Sequence, residues 1–320
     1  MNFQRILFAP IAAAMFTASL SIANDDASSS AVQPFLGRWD LTLKSSSHEY
    51  PSWLEISQDG GQLKAQFVGR GGNARPLTRV EISNGALTFV SPKEEEGGTN
   101  DMVFKGKVSG KDLSGLVNGP DGTTWSWIGR RAPSLKRSGA PKWGKPVPLF
   151  NGKDLTGWKS KSTKPGHEWK VVNGTLVTPG NGPELINNSN FEDFKLHVEF
   201  NIEPNSNSGI YLRGRYEVQV ESNSIEEPPS HHTGGIYGFI TPSPEMPRKL
   251  GEWQNFDITL IGRRVTVAQN GQTIIDNQEI PGITGGALNS HEELPGPIYL
   301  QGSEDGHVAY RNIVLTPAIK

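Results

Sequence analysis

Residues 205–221 read NSNSGIYLRGRYEVQVE, a stretch dense in groups that can hold or transform a polar ligand. Asn205, Ser206, Asn207, Ser208 and Gly209 are turn-formers that place hydroxyls and amides at a strand end. Period-two alternation follows. Ile210, Leu212, Tyr216, Val218 and Val220 share one parity and require a core, while Tyr211, Arg213, Arg215, Glu217, Gln219 and Glu221 share the other. Gly214 marks a bulge or a tight hairpin, and a hairpin would reset the parity, so the two halves are read separately. The polar row could be a solvated outer face of cross-paired charges. It could equally be a concave face that grips a ligand, with Tyr211 stacking and Arg, Glu and Gln making directional hydrogen bonds. The row lacks Lys and Thr, common fillers of solvated strands, and Gln in the company of Glu and Arg suits hydroxyl recognition.

Other stretches carry reactive types. In KLHVEFNI, Leu196, Val198 and Phe200 take one parity and His197, Glu199 and Asn201 the other. Glu199 is either an outer-face carboxylate or a second acid beside Glu217. Two carboxylates on neighbouring strands of one concave face could divide acid and base work if burial separates their pKa values. Arg213 presents a planar fork of donors. It could hold Glu217, bind a hydroxyl pair or stabilise a developing enolate; a plain exposed ion pair there is worth about 1 kcal/mol or less. His231 and His232 precede Thr233-Gly234-Gly235-Ile236-Tyr237-Gly238 in what reads as a loop. Adjacent histidines in extended chain project to opposite sides, so at most one of them faces a site, and imidazole is the base best matched to neutral pH; a mobile surface loop is the alternative. HxH and HExxH spacings are missing, which leaves zinc unsupported. In GPIYLQGSEDGHVAYRN, Gln301 and His307 are further polar candidates. Glu304 and Asp305 could ligate Ca²⁺ with backbone carbonyls or be solvated. Trp253, in GEWQNFDI, is either a sugar platform or core.

The elements that must position these residues are strands. The chain has 320 residues, Gly 37, Pro 23 and no Cys. Its length suits two domains. Short Val-, Ile-, Thr- and aromatic-rich runs between turns indicate an all-β chain. The absence of Cys removes disulfides, thiolate metal sites and cysteine nucleophiles together. A net charge of −2 gives no electrostatic case for nucleic acid. Residues 1–23 read as a secretory signal, with Arg5, an apolar run from Ile6 to Leu20 and the small-x-small Ser21-Ile22-Ala23. The run is too short for a membrane anchor, and a periplasmic or secreted location follows. Residues 24–33 are a polar leader expected to be disordered. Residues 34–131 hold about eight short strands, read as a small β-barrel or sandwich. Gly37-Arg38-Trp39 with Arg130-Arg131 resembles a lipocalin-type barrel, in which a late Arg packs over an early Trp. Residues 132–147 read as a Pro-rich basic linker whose charges are solvated. Residues 148–320 form the second domain.

LFNGKDLTGW at its start is similar to the opening of the 3-keto-disaccharide hydrolase domain family. The likeness continues in order through EWKVVNGTLVTPG, FEDFKLHVEFNI, NSGIYLRGRYEVQV, GGIYG, GEWQNFDITLIGRRVTVAQNGQTIIDN and GPIYLQG…YRNIVLTP. The resemblance implies a concanavalin A-like jelly-roll β-sandwich whose concave sheet binds sugar. It implies pocket roles for Glu199, Arg213, Glu217 and Gln219, and it matches Trp253, Gln301, Arg311 and Asn312. Where the family has a compact Asp-His-Gly, this chain has a longer Ser303-Glu304-Asp305-Gly306-His307, with His307 displaced. The implied substrate is a glycoside already oxidised at C3. The ketone acidifies the C2 proton; a base removes it, an enolate forms, and the aglycone leaves C1 by elimination, with hydrolysis if water adds back. Glu217, His231 or His232 would be the base, Arg213 or a bound cation the electrophile, and Glu199 the acid. Tyr211, Gln219, Tyr237, Trp253, Gln301 and His307 would bind the substrate. A non-catalytic carbohydrate-binding β-sandwich is the competing expectation.

Overall fold

The computed structural model describes residues 31–70, 72–222, 226–303 and 306–319. The expected signal segment and most of the leader lie outside them. Gln33 opens a short 3₁₀ turn that buries Phe35.

Nine antiparallel strands come first: β1 (Gly37–Lys44), β2 (Glu49–Asp59), β3 (Gln62–Val68), β4 (Ala74–Pro76), β5 (Val80–Ser83), β6 (Ala86–Ser91), β7 (Met102–Ser109), β8 (Asp112–Asn118) and β9 (Thr124–Arg131). Their order, β4-β3-β2-β1-β9-β8-β7-β6-β5, is a meander with β1 and β9 brought together at its centre. The sheet curls into an open barrel because alternate residues demand one interior. Trp39, Leu41 and Leu43 of β1 join Phe67, Phe89, Phe104 and Trp127 there. Phe89 and Phe104 stack at 4.3 Å, so side chains fill the interior. The Arg131 guanidinium lies 3.8 Å from the centre of the Trp39 ring, the lipocalin-like contact read from the sequence.

Fourteen strands follow: β10 (Lys142–Trp143), β11 (Val147–Pro148), β12 (Trp158–Ser160), β13 (Lys170–Val172), β14 (Thr175–Val177), β15 (Leu185–Asn187), β16 (Phe194–Ile202), β17 (Asn207–Leu212), β18 (Tyr216–Glu221), β19 (Gln254–Ile261), β20 (Arg264–Gln269), β21 (Gln272–Glu279), β22 (Tyr299–Leu300) and β23 (Val308–Ile319). They make a two-sheet jelly-roll sandwich. The larger sheet runs β13-β14-β23-β16-β19-β20-β21, with β10 and β11 also paired to β23; the smaller runs β12-β15-β22-β17-β18. Leu196, Val198 and Phe200 of β16 meet Ile210, Leu212, Tyr216, Val218 and Val220 of β17 and β18 in the core between the sheets. The segment read as a linker is partly built into this sheet through β10 and β11. Its Arg137 is not merely solvated, since it grips Asp193 at 2.6 and 3.0 Å in a fork.

The barrel and the sandwich share apolar contacts. Trp53 and Val68 of the barrel belong to the sandwich core cluster. Trp53 meets Phe239 edge-on at 5.3 Å. A Cβ at Gly282 would come within 2.1 Å of the Trp53 indole nitrogen, so the ring lies directly on backbone. Burying that indole is worth about 3 kcal/mol. Beside it, Asp40 of β1 meets a buried polar group on the sandwich. Arg263 pairs with Glu292 at 2.9 Å, and the Tyr216 hydroxyl donates to Glu292 at 2.6 Å. Burial, then the adjacent Glu292, push the Asp40 carboxyl up to about 10. Among the described residues no helix is long and apolar enough to cross a membrane.

Candidate functional site

The smaller sheet has one face on the core and one facing away, and its outward face is unusually polar and covered. On β17 and β18 the outward row is Asn207, Gly209 and Tyr211 opposite Glu221, Gln219 and Glu217. The chain does form a hairpin, but the three-residue turn at Arg213-Gly214-Arg215 keeps the two strands in step and, against expectation, does not reset the parity, because Leu212 pairs with Tyr216. Tyr299 of β22 extends the row beside Tyr211. The two phenol rings stack at 4.2 Å and 16°, a contact worth about 1 kcal/mol beyond burial. Glu217 is only 3% exposed.

Glu217 and Tyr211 form the centre of this face. The Tyr211 hydroxyl lies 2.8 Å from Glu217 Oε2 and 2.7 Å from the Gly285 carbonyl oxygen. The Gln219 amide, oriented to satisfy both of its ends, donates to Ser208 O at 3.1 Å and Glu217 Oε1 at 3.3 Å. Burial, with Glu217 and neighbouring phenols, pushes the Tyr211 phenol well above its ordinary range, so it keeps its proton. Two glycines make room for the pair. A Cβ at Gly209 would come within 2.1 Å of Glu217 Oε1, and one at Gly286 within 2.4 Å of the Tyr211 oxygen. Gln301 follows on β22's end; its N–H donates to Gly209 O at 2.9 Å, and its buried side-chain Oε1 has no hydrogen-bond partner among the described residues. That orphaned acceptor is the kind of group a ligand hydroxyl satisfies.

The loop of residues 226–248 walls the β18 edge. Gly234, Gly235 and Tyr237 extend the ladder by bonding to Gln219 and Glu217 backbone atoms at 2.8–3.1 Å. His231 stacks on Tyr237 at 4.3 Å. Its Nδ1 lies 3.1 Å from Glu227 Oε2 and its Nε2 3.0 Å from the Asn73 amide nitrogen. His232 turns the other way, towards Glu245 Oε1 at 3.0 Å. Arg248 joins that group, 3.5 Å from Glu221 and 3.6 Å from Glu245. The two rings reach different carboxylates, but His232 Nε2 also lies 3.1 Å from the Glu227 carbonyl oxygen, and His231 closes a 3₁₀ turn, Pro229–His231, instead of lying in the extended chain expected from the sequence.

Four expected members stand elsewhere. Glu199 lies on β16 of the larger sheet, not on a strand beside Glu217. It faces away from the core, bonded by Arg311 and Asn312, both at 2.6 Å. Partial burial pushes its carboxyl up, but these bonds outweigh it and hold it below the usual range. The expected carboxylate pair therefore does not form. Trp253 shares that outer face, under the Arg311 guanidinium at 3.9 Å, and is neither core nor a sugar platform on the smaller sheet. Arg213 leaves the polar row because its φ of 53° and that of Gly214 turn the chain. It is buried against Tyr216, donating to its hydroxyl at 2.8 Å, and so belongs with Glu292 and Arg263 rather than with substrate. His307 is exposed at a strand end, with Nδ1 2.7 Å from Thr178 O. Glu304 and Asp305 lie outside the described residues. Among the described residues no three His, Asp or Glu side chains gather as a metal site.

The sequence profile of the family described as the 3-keto-alpha-glucoside-1,2-lyase-like domain matches residues 145–316. The chain belongs to this family. A curated relative from Bacteroides thetaiotaomicron, named 3-keto-disaccharide hydrolase, is 20% identical over 167 residues. The match covers 41% of this chain and 57% of that protein, so the chain spans little more than half of the relative's length. Two solved Parabacteroides distasonis proteins, provisionally named glycosyl hydrolases, are also similar. One is 28% identical with TM-score 0.46, covering 56% of this chain and 92% of its own; the other is 24% identical with TM-score 0.43, covering 54% and 98%.

Within the family domain, sequence reasoning missed Tyr299, Glu184 and Lys161. Lys161 Nζ sits 3.1 Å from Glu184 and 5.9 Å from the centre of the Tyr299 ring, at the side of the face opposite the histidine loop. Tyr299 had a signal: it alternates with Ile298 and Leu300, which are both buried in the core. Lys161 and Glu184 lie 23 positions apart and outside strand periodicity, so only the β12–β15 pairing brings them together.

Proposed function

We propose that the chain cleaves the glycosidic bond of 3-keto-glycosides on the concave face around Glu217. The observation that supports this reading is the Tyr211 hydroxyl poised between Glu217 and the Gly285 carbonyl. As a carboxylate, Glu217 accepts from Tyr211. As a carboxylic acid, it can donate to the Tyr211 oxygen while that hydroxyl turns to Gly285. Both protonation states are therefore satisfied without moving a backbone atom, which is what a group that takes and returns a proton requires.

The reaction needs one such group. Glu217 removes the C2 proton, and the C2–H electron pair delocalises onto the C3 oxygen as an enolate. The enolate collapses, the C1–O bond breaks, and Glu217 returns its proton to the departing oxygen. An enone and an alcohol result, and water addition at C1 completes hydrolysis. Glu221 is held by Arg248 and Glu184 by Lys161, and a phenol and an amide are among the partners of Glu217. Tyr211, Gln219, Gln301 and Tyr237 supply hydroxyl and carbonyl recognition, and the Tyr211 phenol, which keeps its proton, can donate to the enolate oxygen. Glu199, Trp253 and Arg213 take no part. The family match and the name of the Bacteroides relative support the substrate class. The apolar opening of residues 1–23 supports a periplasmic or secreted setting.

The test follows enone absorbance and monosaccharide release from a 3-keto-disaccharide and from its unoxidised parent, with and without chelator. Turnover of the keto form alone, abolished in Glu217→Gln with binding retained, is expected. Binding without turnover in the wild type overturns the reading in favour of a carbohydrate-binding module. Loss of turnover with chelator would assign the enolate to a cation.

A further inference from the structure

Residue Asn73 belongs to the barrel, outside the stretch 145–316 that the family profile matches, yet its side chain reaches the wall of the site. We propose that the barrel completes the sugar site, with Asn73 a positioning residue that acts through His231 to fix Tyr237 beside Glu217. This inference rests on the location of the site proposed above.

The contact is specific in chemistry as well as distance. Glu227 as a carboxylate accepts from His231 Nδ1–H at 3.1 Å. His231 Nε2 is then a lone pair, and it faces the Asn73 amide nitrogen at 3.0 Å. A donor amide on one side and a carboxylate on the other fix the ring in one tautomer and one plane. That plane carries the Tyr237 ring, 4.3 Å away and 26° from parallel. Tyr237 in turn donates its N–H to the Glu217 carbonyl at 3.1 Å. The backbone around it is clamped from the barrel side. Gly238 has φ of 73°, and a Cβ there would come within 2.7 Å of Asn73 Cβ and Ala74 N. Phe239 meets Trp53 edge-on. Residues 237–239 are thus held between β18 and the barrel, and no group of the family domain among the described residues is bonded to His231 Nε2. With Nε2 occupied by Asn73, His231 is a supporting group rather than the base.

The experiment uses the full chain and a double-mutant cycle of Asn73→Ala and His231→Ala, with Asn73→Asp as a near-isosteric variant that removes the donor. Asn73→Ala should lower kcat/KM on the keto-disaccharide roughly five- to tenfold, the loss of one buried hydrogen bond, with melting temperature held within a few degrees. Because Asn73 acts through His231, the double variant should be no slower than His231→Ala alone. Asn73→Asp should fail to restore the rate at pH 8, where a carboxylate cannot donate. Independent losses that multiply, or no loss in Asn73→Ala, overturn the proposal. A second readout does not need turnover: the ¹⁵N signal of His231 Nε2 at pH 8 should move on Asn73→Ala, and an unchanged signal overturns the contact. Wild-type protein that neither binds nor turns over sugar defeats the site's proposed chemistry, while the ¹⁵N comparison still judges Asn73.

Discussion

Asp40→Asn should stabilise this protein at neutral pH and leave it unchanged in acid. Asp40 is only 5% exposed and packs against Glu292, itself fully buried and paired with Arg263. Burial and then the Glu292 charge raise its carboxyl to about 10. In the unfolded chain the group returns to an ordinary carboxylate. The folded state therefore holds a proton that the unfolded state releases between roughly pH 4 and pH 10. The sign is that of a raised acid: stability is greatest below pH 4 and falls as pH rises through that window. At pH 7 about three pH units separate the two states, at 1.36 kcal/mol each, or on the order of 4 kcal/mol. Replacing the acid's own contacts reduces this, and about 2–4 kcal/mol is the expected gain when a neutral amide replaces the acid. For a chain of this size that corresponds to roughly 5–10 °C. The assay is thermal unfolding of wild type and variant at pH 4.5 and pH 8. A gain at pH 8 that is absent at pH 4.5 is expected. Equal shifts at both pH values, or a loss at pH 8, would refute the argument, because then the proton is not what the interface costs.

Four further outcomes follow from the site and the fold. Glu217→Gln should lower kcat at least about a hundredfold with little change in melting, read by enone formation. Gly209→Ala should reduce sugar affinity and turnover more than tenfold, since its Cβ would displace the Glu217 carboxylate; calorimetry and kinetics both check it. Glu199→Gln should keep more than half of the activity and cost about 1 kcal/mol or less, because its partners are on the outer face of the other sheet. Trp53→Ala should destabilise by about 3–5 kcal/mol in denaturant melts, because it empties a socket between the two β bodies.

Parity carried much of the polar face around Glu217. Tyr211, Glu217 and Gln219 were legible because each half of the hairpin keeps its own alternation, whereas the odd-length turn that holds the two halves in step was not. The same rule failed for Glu199 for a physical reason. Alternation says that a residue points off the core, but not which of two sheets owns the strand, and β16 went to the larger one. Arg213 was misplaced because a left-handed turn residue has no strand parity to obey. The jelly roll was legible as an ordered series of blocks, while the barrel's embrace of the loop was not. Trp53 and Asn73 lie in a region whose pattern is fully explained by its own curled sheet. Nothing in a period-two pattern marks an indole or an amide that is destined for a neighbouring body.

The Trp53 socket also bears on how this architecture can change. A barrel that contributes a ring to its neighbour's core is no longer a detachable module. Excising residues 145–320 would leave an apolar hole floored by the Gly282 backbone, and the excised barrel would carry a bare indole. The two halves should lose structure together, in one cooperative melt. Lineages that inherit the fusion can vary the barrel's far side freely, but can discard the barrel only after refilling the hole.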